Sequence, residues 1–313
     1  MGRTALIFPG QGSQSIGMGR ALADAYPAAR TVFEEVDEAL QEKLSALMWD
    51  GDEATLTLTA NTQPALMAVS VAAYRALESE TGFEASQAAF VAGHSLGEYS
   101  ALAATGALSV TDAARLLRLR GEAMQAAVPP GEGAMAALLG ADESQAEAAC
   151  AAAGGLCEIA NDNAPGQIVL SGETSAIDAA CAWAKENGVK KAMPLSVSAP
   201  FHCSMMQPAA DAMATALAQC EIRAPAAPLI ANVTAAPTQE PNEIRSQLVA
   251  QVTGRVRWRE SVLRMVEGGV DRALELGAGK VLTVMNRRTD KALVGAHFGA
   301  PQDLDGARAA LGI

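Results

Sequence analysis

The stretch Ala88-Ala-Phe-Val-Ala-Gly-His-Ser-Leu-Gly-Glu98 decides the reading of this chain. Ala88 to Ala92 is an apolar run of strand length, stopped by Gly93. A helical pattern follows at about 97–104. Between them, Gly93-His94-Ser95-Leu96-Gly97 matches Gly-x-Ser-x-Gly in the strand–turn–helix context that gives the pattern meaning. So sharp a turn crowds the backbone, which is why glycines flank the serine. The turn lifts the Ser95 hydroxyl clear and sets it at a helix N-terminus, whose positive end favours a developing oxyanion. The N–H of Leu96, the residue after the nucleophile, offers one oxyanion donor. A serine that merely caps a helix is the bland alternative. The context favours the nucleophile.

Working outward, Thr4-Ala-Leu-Ile-Phe8 reads as another buried strand, ending in a Gly-rich loop from Pro9 to Gly19. Helical patterns cover about 19–47, 62–80 and 111–127, before Pro129-Pro130-Gly131 breaks the chain. The next segment changes character. Gly133 to Leu139 reads as a strand, Asp142 to Ala153 as a helix and Leu156 to Ala160 as a strand. Asn161-Asp-Asn-Ala-Pro-Gly166 reads as a turn and Gln167 to Ser171 as a strand. Thr174 to Asn187 is then helical and Val189 to Leu195 a strand. That order, β-α-β-β-α-β, is the signature of a ferredoxin-like unit. Beyond it, Gln207 to Gln219 is helical, and Pro228 to Asn232, Arg272 to Leu276 and Ala292 to Ala296 read as strands. Gly277-Ala-Gly279 opens a helix near Lys280. Uniformly apolar strands alternating with helices predict a parallel sheet covered on both faces. The expected fold class is α/β. A large α/β-hydrolase-like domain spans 1–129 and 198–313, and a small inserted ferredoxin-like domain spans 130–197. Function in such sheets sits at the C-terminal ends of the strands.

Composition agrees. The chain has 313 residues, half of them apolar, which is too hydrophobic for disorder and enough for an ample core. Sixty-eight are alanine, which favours helix. A net charge of -12 argues against nucleic acid, which needs a basic face. Five cysteines without a Cys-x-x-Cys spacing form no disulfide framework and no zinc knuckle, so reduced thiols in a cytoplasmic protein are expected. Ala5 to Phe8 is too short for a signal peptide, and no apolar run is long enough to span a membrane.

A serine nucleophile needs a base. The chain has three histidines: His94 within the elbow, His202, and His297 near the C-terminus. His94 is expected to pack structurally, and nothing catalytic surrounds His297. His202, in Ser198-Ala-Pro-Phe-His-Cys203 at the return to the large domain, is the favoured base. The loop Pro9-Gly10-Gln11-Gly12-Ser13-Gln14 fails the dinucleotide pattern and lacks a Walker lysine. It reads as a tight loop bringing the Gln11 N–H to a ligand, or simply as a turn. Arg120 shares a helix face with Leu116 and Leu119. It wants an anionic partner, and an internal salt bridge would serve as well as a ligand. Ten of the 23 basic residues lie between Arg245 and Lys291. They form either a patch for an anionic partner or a salt-bridged surface.

Taken together, Thr4 to Gly19, Gly93 to Glu98, Arg120-Gly121, Asn163-Ala-Pro-Gly-Gln167, Ser198 to His202, and Gln251 with Val256 to Trp258 resemble the malonyl-CoA:acyl carrier protein transacylases of bacterial fatty-acid synthesis. The resemblance runs through the whole chain, in order. Gly277-Ala-Gly279 departs from the usual Gly-Pro-Gly of that family. The resemblance implies Ser95 as nucleophile on the malonyl thioester and His202 as base. Gln251 would hold the imidazole through its backbone carbonyl, in place of the acid of a triad. The N–H groups of Gln11 and Leu96 would form the oxyanion hole. Arg120 would grip the malonyl carboxylate, and Phe201 would crowd any α-substituent. It implies transfer to the phosphopantetheine thiol of acyl carrier protein, with malonyl-CoA as substrate and no cofactor or metal. The basic residues from Arg245 onward, with Lys190 and Lys191, are then candidate docking points for an acidic carrier. Nothing points to an obligate interface, so a monomer is expected. The rivals are a serine hydrolase or thioesterase, an acyltransferase for another acyl group, and a non-catalytic carrier-binding module. The inserted unit and Arg120 speak against the hydrolase. The joint presence of Ser95, His202, Arg120 and Gln11 speaks against a dead site.

Overall fold

The computed structural model describes residues 2–313. Its ten strands are β1 (Arg3–Phe8), β2 (Phe90–Gly93), β3 (Gly133–Leu139), β4 (Cys157–Ala164), β5 (Gln167–Glu173), β6 (Lys191–Pro194), β7 (Leu229–Ile230), β8 (Pro237–Thr238), β9 (Val270–Leu276) and β10 (Val294–Phe298). They form two sheets, one ordered β10-β9-β1-β2-β7-β8 and the other β4-β5-β3-β6.

The first sheet is parallel from β10 to β7, with β8 added antiparallel at the edge. Its centre explains the apolar run of β1. Leu6 and Phe8 point into a core with Leu66, Val69 and Leu102 on one face. Ala5 and Ile7 point into a second core with Trp258, Val262 and Met265 on the other. All four β1 side chains are fully buried, and burying each large one contributes about 1.5–3 kcal/mol. A strand covered on both faces cannot alternate apolar with polar residues. The second sheet is antiparallel between every pair of neighbours. Its two helices, Glu143–Ala152 and Thr174–Glu186, share a separate core with Leu138, Ile168, Leu170 and Ile177.

Three expectations need correction. The pattern at 19–47 is three helices, Arg20–Ala25, Pro27–Leu40 and Leu44–Asp50. Pro27 holds Tyr26 in an extended conformation (φ −125°, ψ 115°), and Gln41 takes a left-handed one. Asn161 to Ala164 is the end of β4, with irregular pairing to β5, and only Pro165-Gly166 turns. The polar run stays extended because it is buried and partnered. Asn161 bridges Val256, and the Asp162 carboxylate accepts from Arg255 and Arg259. The helices Pro241–Thr253, Trp258–Glu267 and Leu304–Leu311, and the short strand β8, are absent from the sequence reading. Among the described residues no helix is long and apolar enough to cross a membrane.

The strand-to-helix turn after β2 sets the tightest contacts. A Cβ on Gly93 would lie 1.9 Å from the carbonyl of Gly97, and one on Gly97 would lie 2.3 Å from the carbonyl oxygen of Phe8. Neither neighbour is a flexible side chain that could move aside. Gly93→Ala should therefore destabilise the protein by about 3 kcal/mol or more. Urea denaturation checks this, and an unchanged midpoint would show that the backbone opens freely here.

Candidate active site

Ser95 sits between β2 and the helix Gly97–Ala104 with φ +53°, a left-handed conformation rarely held by a serine. Asn232, just past the C-terminal end of β7, braces it. The Asn232 Oδ1 accepts from the Ser95 N–H at 2.8 Å, and its Nδ2 donates to the Gly93 carbonyl at 2.7 Å. The second bond is buried and the first partly so, and the turn is clamped from outside itself. The Ser95 hydroxyl then faces His202, with Oγ and Nε2 2.8 Å apart.

His202 is buried and also left-handed, with φ +59°. Its Nδ1 lies 2.8 Å from the Gln251 carbonyl and 3.2 Å from that of Gly254. Carbonyls only accept, so Nδ1 carries the proton and Nε2 is left to accept from the serine. Both carbonyls belong to the end of the helix Pro241–Thr253, where the last C=O groups lack helical partners and the dipole is negative. Burial, and secondly the guanidinium of Arg120, push the His202 pKa down to about 3, against the pull of those carbonyls. The imidazole is therefore held neutral, with Nε2 free to accept.

Arg120 is buried on the helix Val110–Ala126. It donates to Gln63 Oε1 at 2.6 Å, to Gln251 Oε1 at 2.8 Å and to Ser95 Oγ at 3.2 Å. Among the described residues no carboxylate pairs with it within salt-bridge distance, and its Nε has no partner. Gln63 is itself held by Thr59, whose hydroxyl also donates to Gln11 Oε1. Gln11, Ser95, Leu96, Arg120, Phe201 and His202 all line one cavity of about 370 Å³ between the two sheets, a size suited to a small acyl group and its tether. Among the described residues the backbone N–H groups of Gln11 and Leu96 have no acceptor within the protein. His94 bonds Asn163 Oδ1 at 2.8 Å and packs on Trp258, tying the elbow to β4. His297 faces Asp303.

Ser95, His202, Arg120, Gln11, Leu96, Phe201 and Gln251 thus come together. The run from Arg245 to Lys291 does not act as one patch. Arg245 donates to backbone carbonyls of Leu217 and Cys220. Arg255 and Arg259 pair with Asp162 and Glu143, Arg257 with Glu260 and Arg264 with Glu267. Lys280, Arg287, Arg288 and Lys291 remain exposed, as do Lys190 and Lys191. Sequence reasoning missed Asn232, Gln63, Thr59 and Glu98, and the side-chain role of Gln251. Asn232 was within reach, since it follows a strand that neighbours β2 and strand ends are where such sheets place function.

The fold and the site define an α/β enzyme with a serine–histidine pair at a strand-to-helix elbow. The acyl transferase domain family matches residues 5–304. The malonyl CoA-acyl carrier protein transacylase of Bacillus subtilis strain 168 is 44% identical over 97% of this chain and 96% of its own length. The crystal structure of an acyl-carrier-protein-S-malonyltransferase from Bartonella henselae is 53% identical, with a TM-score of 0.97 over 99% of this chain and 100% of that one. A malonyl-transacylase solved in complex with its type II PKS acyl-carrier protein is 41% identical, with a TM-score of 0.94 over 99% and 100% of the two chains. The chain belongs to the acyl transferase family and, within it, to the malonyl-CoA:acyl carrier protein transacylases.

The neutral burial of His202 has a thermodynamic consequence. In the unfolded chain its pKa returns to about 6.5. Between that value and about 3 the unfolded chain holds a proton that the folded one refuses, so stability falls as pH drops through this window. His202→Gln should lose less stability than the parent between pH 7 and pH 4.5 in urea titrations. Equal losses would contradict a neutral buried imidazole.

Proposed function

We propose that the protein transfers a malonyl group from malonyl-CoA to the phosphopantetheine thiol of an acyl carrier protein, through an ester on Ser95. The observation that carries this reading is a buried arginine, with no carboxylate in salt-bridge distance among the described residues, 3.2 Å from the oxygen of a serine paired to a neutral histidine. A cation placed there suits an acyl group that brings its own carboxylate.

In this reading His202 Nε2 takes the Ser95 proton as Oγ attacks the thioester carbonyl. The resulting oxyanion accepts from the N–H groups of Gln11 and Leu96. The carbonyls of Gln251 and Gly254 stabilise the imidazolium, as the acid of a triad would. Collapse returns the proton to the departing CoA thiolate and leaves malonyl-Ser95. The carrier thiol then repeats the sequence in reverse, with His202 taking its proton and returning it to Ser95 Oγ. Arg120 holds the free carboxylate with two N–H donors, and Phe201 crowds a branch at the α-carbon. No cofactor or metal enters these steps, and every role is filled from one chain.

The domain division follows the same reading. Residues 1–129 and 198–313 form a large α/β-hydrolase-like domain that supplies the chemistry. Residues 130–197 form a ferredoxin-like insert that supplies one wall of the cavity. The strand order β4-β5-β3-β6 and the separate core of the insert support that description. An acidic carrier would dock on the exposed cations Lys280, Arg287, Arg288 and Lys291, with the exposed Lys190 and Lys191 as further candidates.

Mass spectrometry after mixing with malonyl-CoA should find one malonyl group on Ser95 and none on Ser95→Ala. Labelling of that variant sinks the nucleophile assignment, and ester turnover rivalling transfer to a thiol would favour a hydrolase. Arg120→Ala should lower kcat/KM for malonyl-CoA by about 10²- to 10⁴-fold, as expected for breaking a buried charge pair worth about 3–5 kcal/mol. Acetyl-CoA should gain relative to malonyl-CoA, and an unchanged ratio would remove Arg120 from the carboxylate role.

A further inference from the structure

Glu98 lies three residues beyond the nucleophile and has no part in the steps above. Its carboxyl is 1% exposed. Oε2 accepts from the Asn232 N–H at 3.1 Å and from Gln251 Nε2 at 2.8 Å. Oε1 has no hydrogen-bond partner among the described residues. Because its Nε2 is committed to Glu98 and to the Ser95 carbonyl, Gln251 must turn Oε1 toward Arg120. One amide therefore joins a buried anion to a buried cation, and each charged group keeps an unused polar atom.

The surroundings leave little else to balance charge. Tyr99, on the same helix as Glu98, lies under the Arg120 guanidinium at 5.8 Å. Burial raises its phenol well above the ordinary range, so it stays neutral. The helix Val110–Ala126 contributes Arg120, and the loop after β6 contributes His202, a neutral base. The helix Thr59–Thr81 contributes the neutral Gln63, the helix Pro241–Thr253 the neutral Gln251, and the end of β7 the neutral Asn232. Ionised, Glu98 is the counter-charge to Arg120 in this cluster.

We propose that Glu98 is the counter-ion of Arg120 in the free enzyme and takes up one proton when a substrate carboxylate binds Arg120. The proposal rests on the carboxylate-binding role of Arg120. A second carboxylate beside one buried guanidinium would leave a surplus negative charge among buried groups, and such a charge is removed by protonation. The incoming carboxylate accepts directly from the guanidinium and keeps its charge. Glu98 reaches Arg120 only through a neutral amide, so the proton from solvent goes to Glu98, whose Oε1 is open to receive it. The charge of the cluster is the same before and after: one cation and one anion. Burial already raises the Glu98 pKa to about 7, against the two donors and Arg120. Near neutrality the group is therefore poised between its two forms. Release of the malonyl group to the carrier returns the proton. Linkage then requires malonyl affinity to fall as pH rises above that value, with no such fall for an acyl group lacking a carboxylate.

Calorimetry on Ser95→Ala, which binds without reacting, tests this at pH 8 in two buffers of different ionisation heat. Acetyl-CoA is the control for titration of the CoA phosphates, whose second pKa lies near about 6. Malonyl-CoA should show buffer-dependent heat amounting to most of one proton per site, and acetyl-CoA none. Adding Glu98→Gln should abolish the proton uptake while malonyl-CoA still binds in preference to acetyl-CoA. Malonyl preference with equal heats in both buffers overturns the proposal. Loss of malonyl preference in Ser95→Ala itself sinks the role of Arg120 instead, and the proposal with it. Should Glu98→Gln not fold, the pH series of Ser95→Ala decides. Uptake must shrink toward zero at pH 6, where Glu98 is already protonated, and a constant uptake overturns the idea.

Discussion

Ser95 is held at φ +53° by contacts it does not make with its own side chain. A non-glycine residue in that region costs about 1–3 kcal/mol and persists only where its surroundings over-determine it. Here they do. Gly93 and Gly97 approach too closely for any Cβ, and Asn232 bonds both the Ser95 N–H and the Gly93 carbonyl. Asn232 Oδ1 takes the Ser95 N–H, while the next residue, Leu96, lines the cavity and its N–H has no acceptor among the described residues. The direction of the hydroxyl, the free amide beside it and the helix that begins at Gly97 are three results of one turn. His202 meets it with the same kind of backbone, φ +59°. Ser95 and His202 thus both hold left-handed backbone conformations where their side chains meet.

The second dependency is electrostatic. A triad acid at Nδ1 would place a full negative charge there and raise the imidazole pKa. Carbonyls at a helix C-terminus supply a partial charge with the same geometry. That lets burial and the neighbouring Arg120 dominate and keep the imidazole neutral. The same arginine accounts for the amides around it. Gln63 and Gln251 each turn a carbonyl oxygen to the guanidinium because their NH₂ groups are already used, by Thr59 in one case and by Glu98 in the other. The cation is solvated by oriented neutral groups, which can be given up to a carboxylate at lower cost than an ion pair.

Much of this was legible from residue type and spacing. The elbow, the apolar strands and the inserted β-α-β-β-α-β unit follow from local patterns, and His202 from a choice of three. Arg120 stood on an apolar helix face, where it is buried, although one sequence left a salt bridge equally open. What escaped the sequence depends on partners distant in the chain. Asn161 to Ala164 carries turn residues, yet Arg255, Arg259 and Val256 hold it extended. The arginines from Arg255 to Arg264 look like a patch when counted and are ion pairs when placed. The roles of Asn232, Gln63 and Glu98 rest on which end of an amide or carboxyl faces which neighbour, and no spacing rule encodes that.

Those distant contacts also explain how the second sheet can form a wall of the cavity without loosening it. Asp162, near the end of β4, is almost fully buried and takes Arg255 and Arg259 from the larger part of the chain, with Glu143 completing the cluster. The backbone of β4 continues into Val256 through two bonds, Asp162 N–H to the Val256 carbonyl and Val256 N–H to that of Ala160. At the start of the same strand, Glu158 accepts from the N–H and hydroxyl of Ser204, two residues beyond His202. One strand is therefore anchored near Gly254, whose carbonyl holds the imidazole, and again next to the imidazole itself. An acidic chain spends its arginines here on internal joints rather than on its surface. The joints fall where a small displacement would alter the 2.8 Å contact between His202 and Ser95.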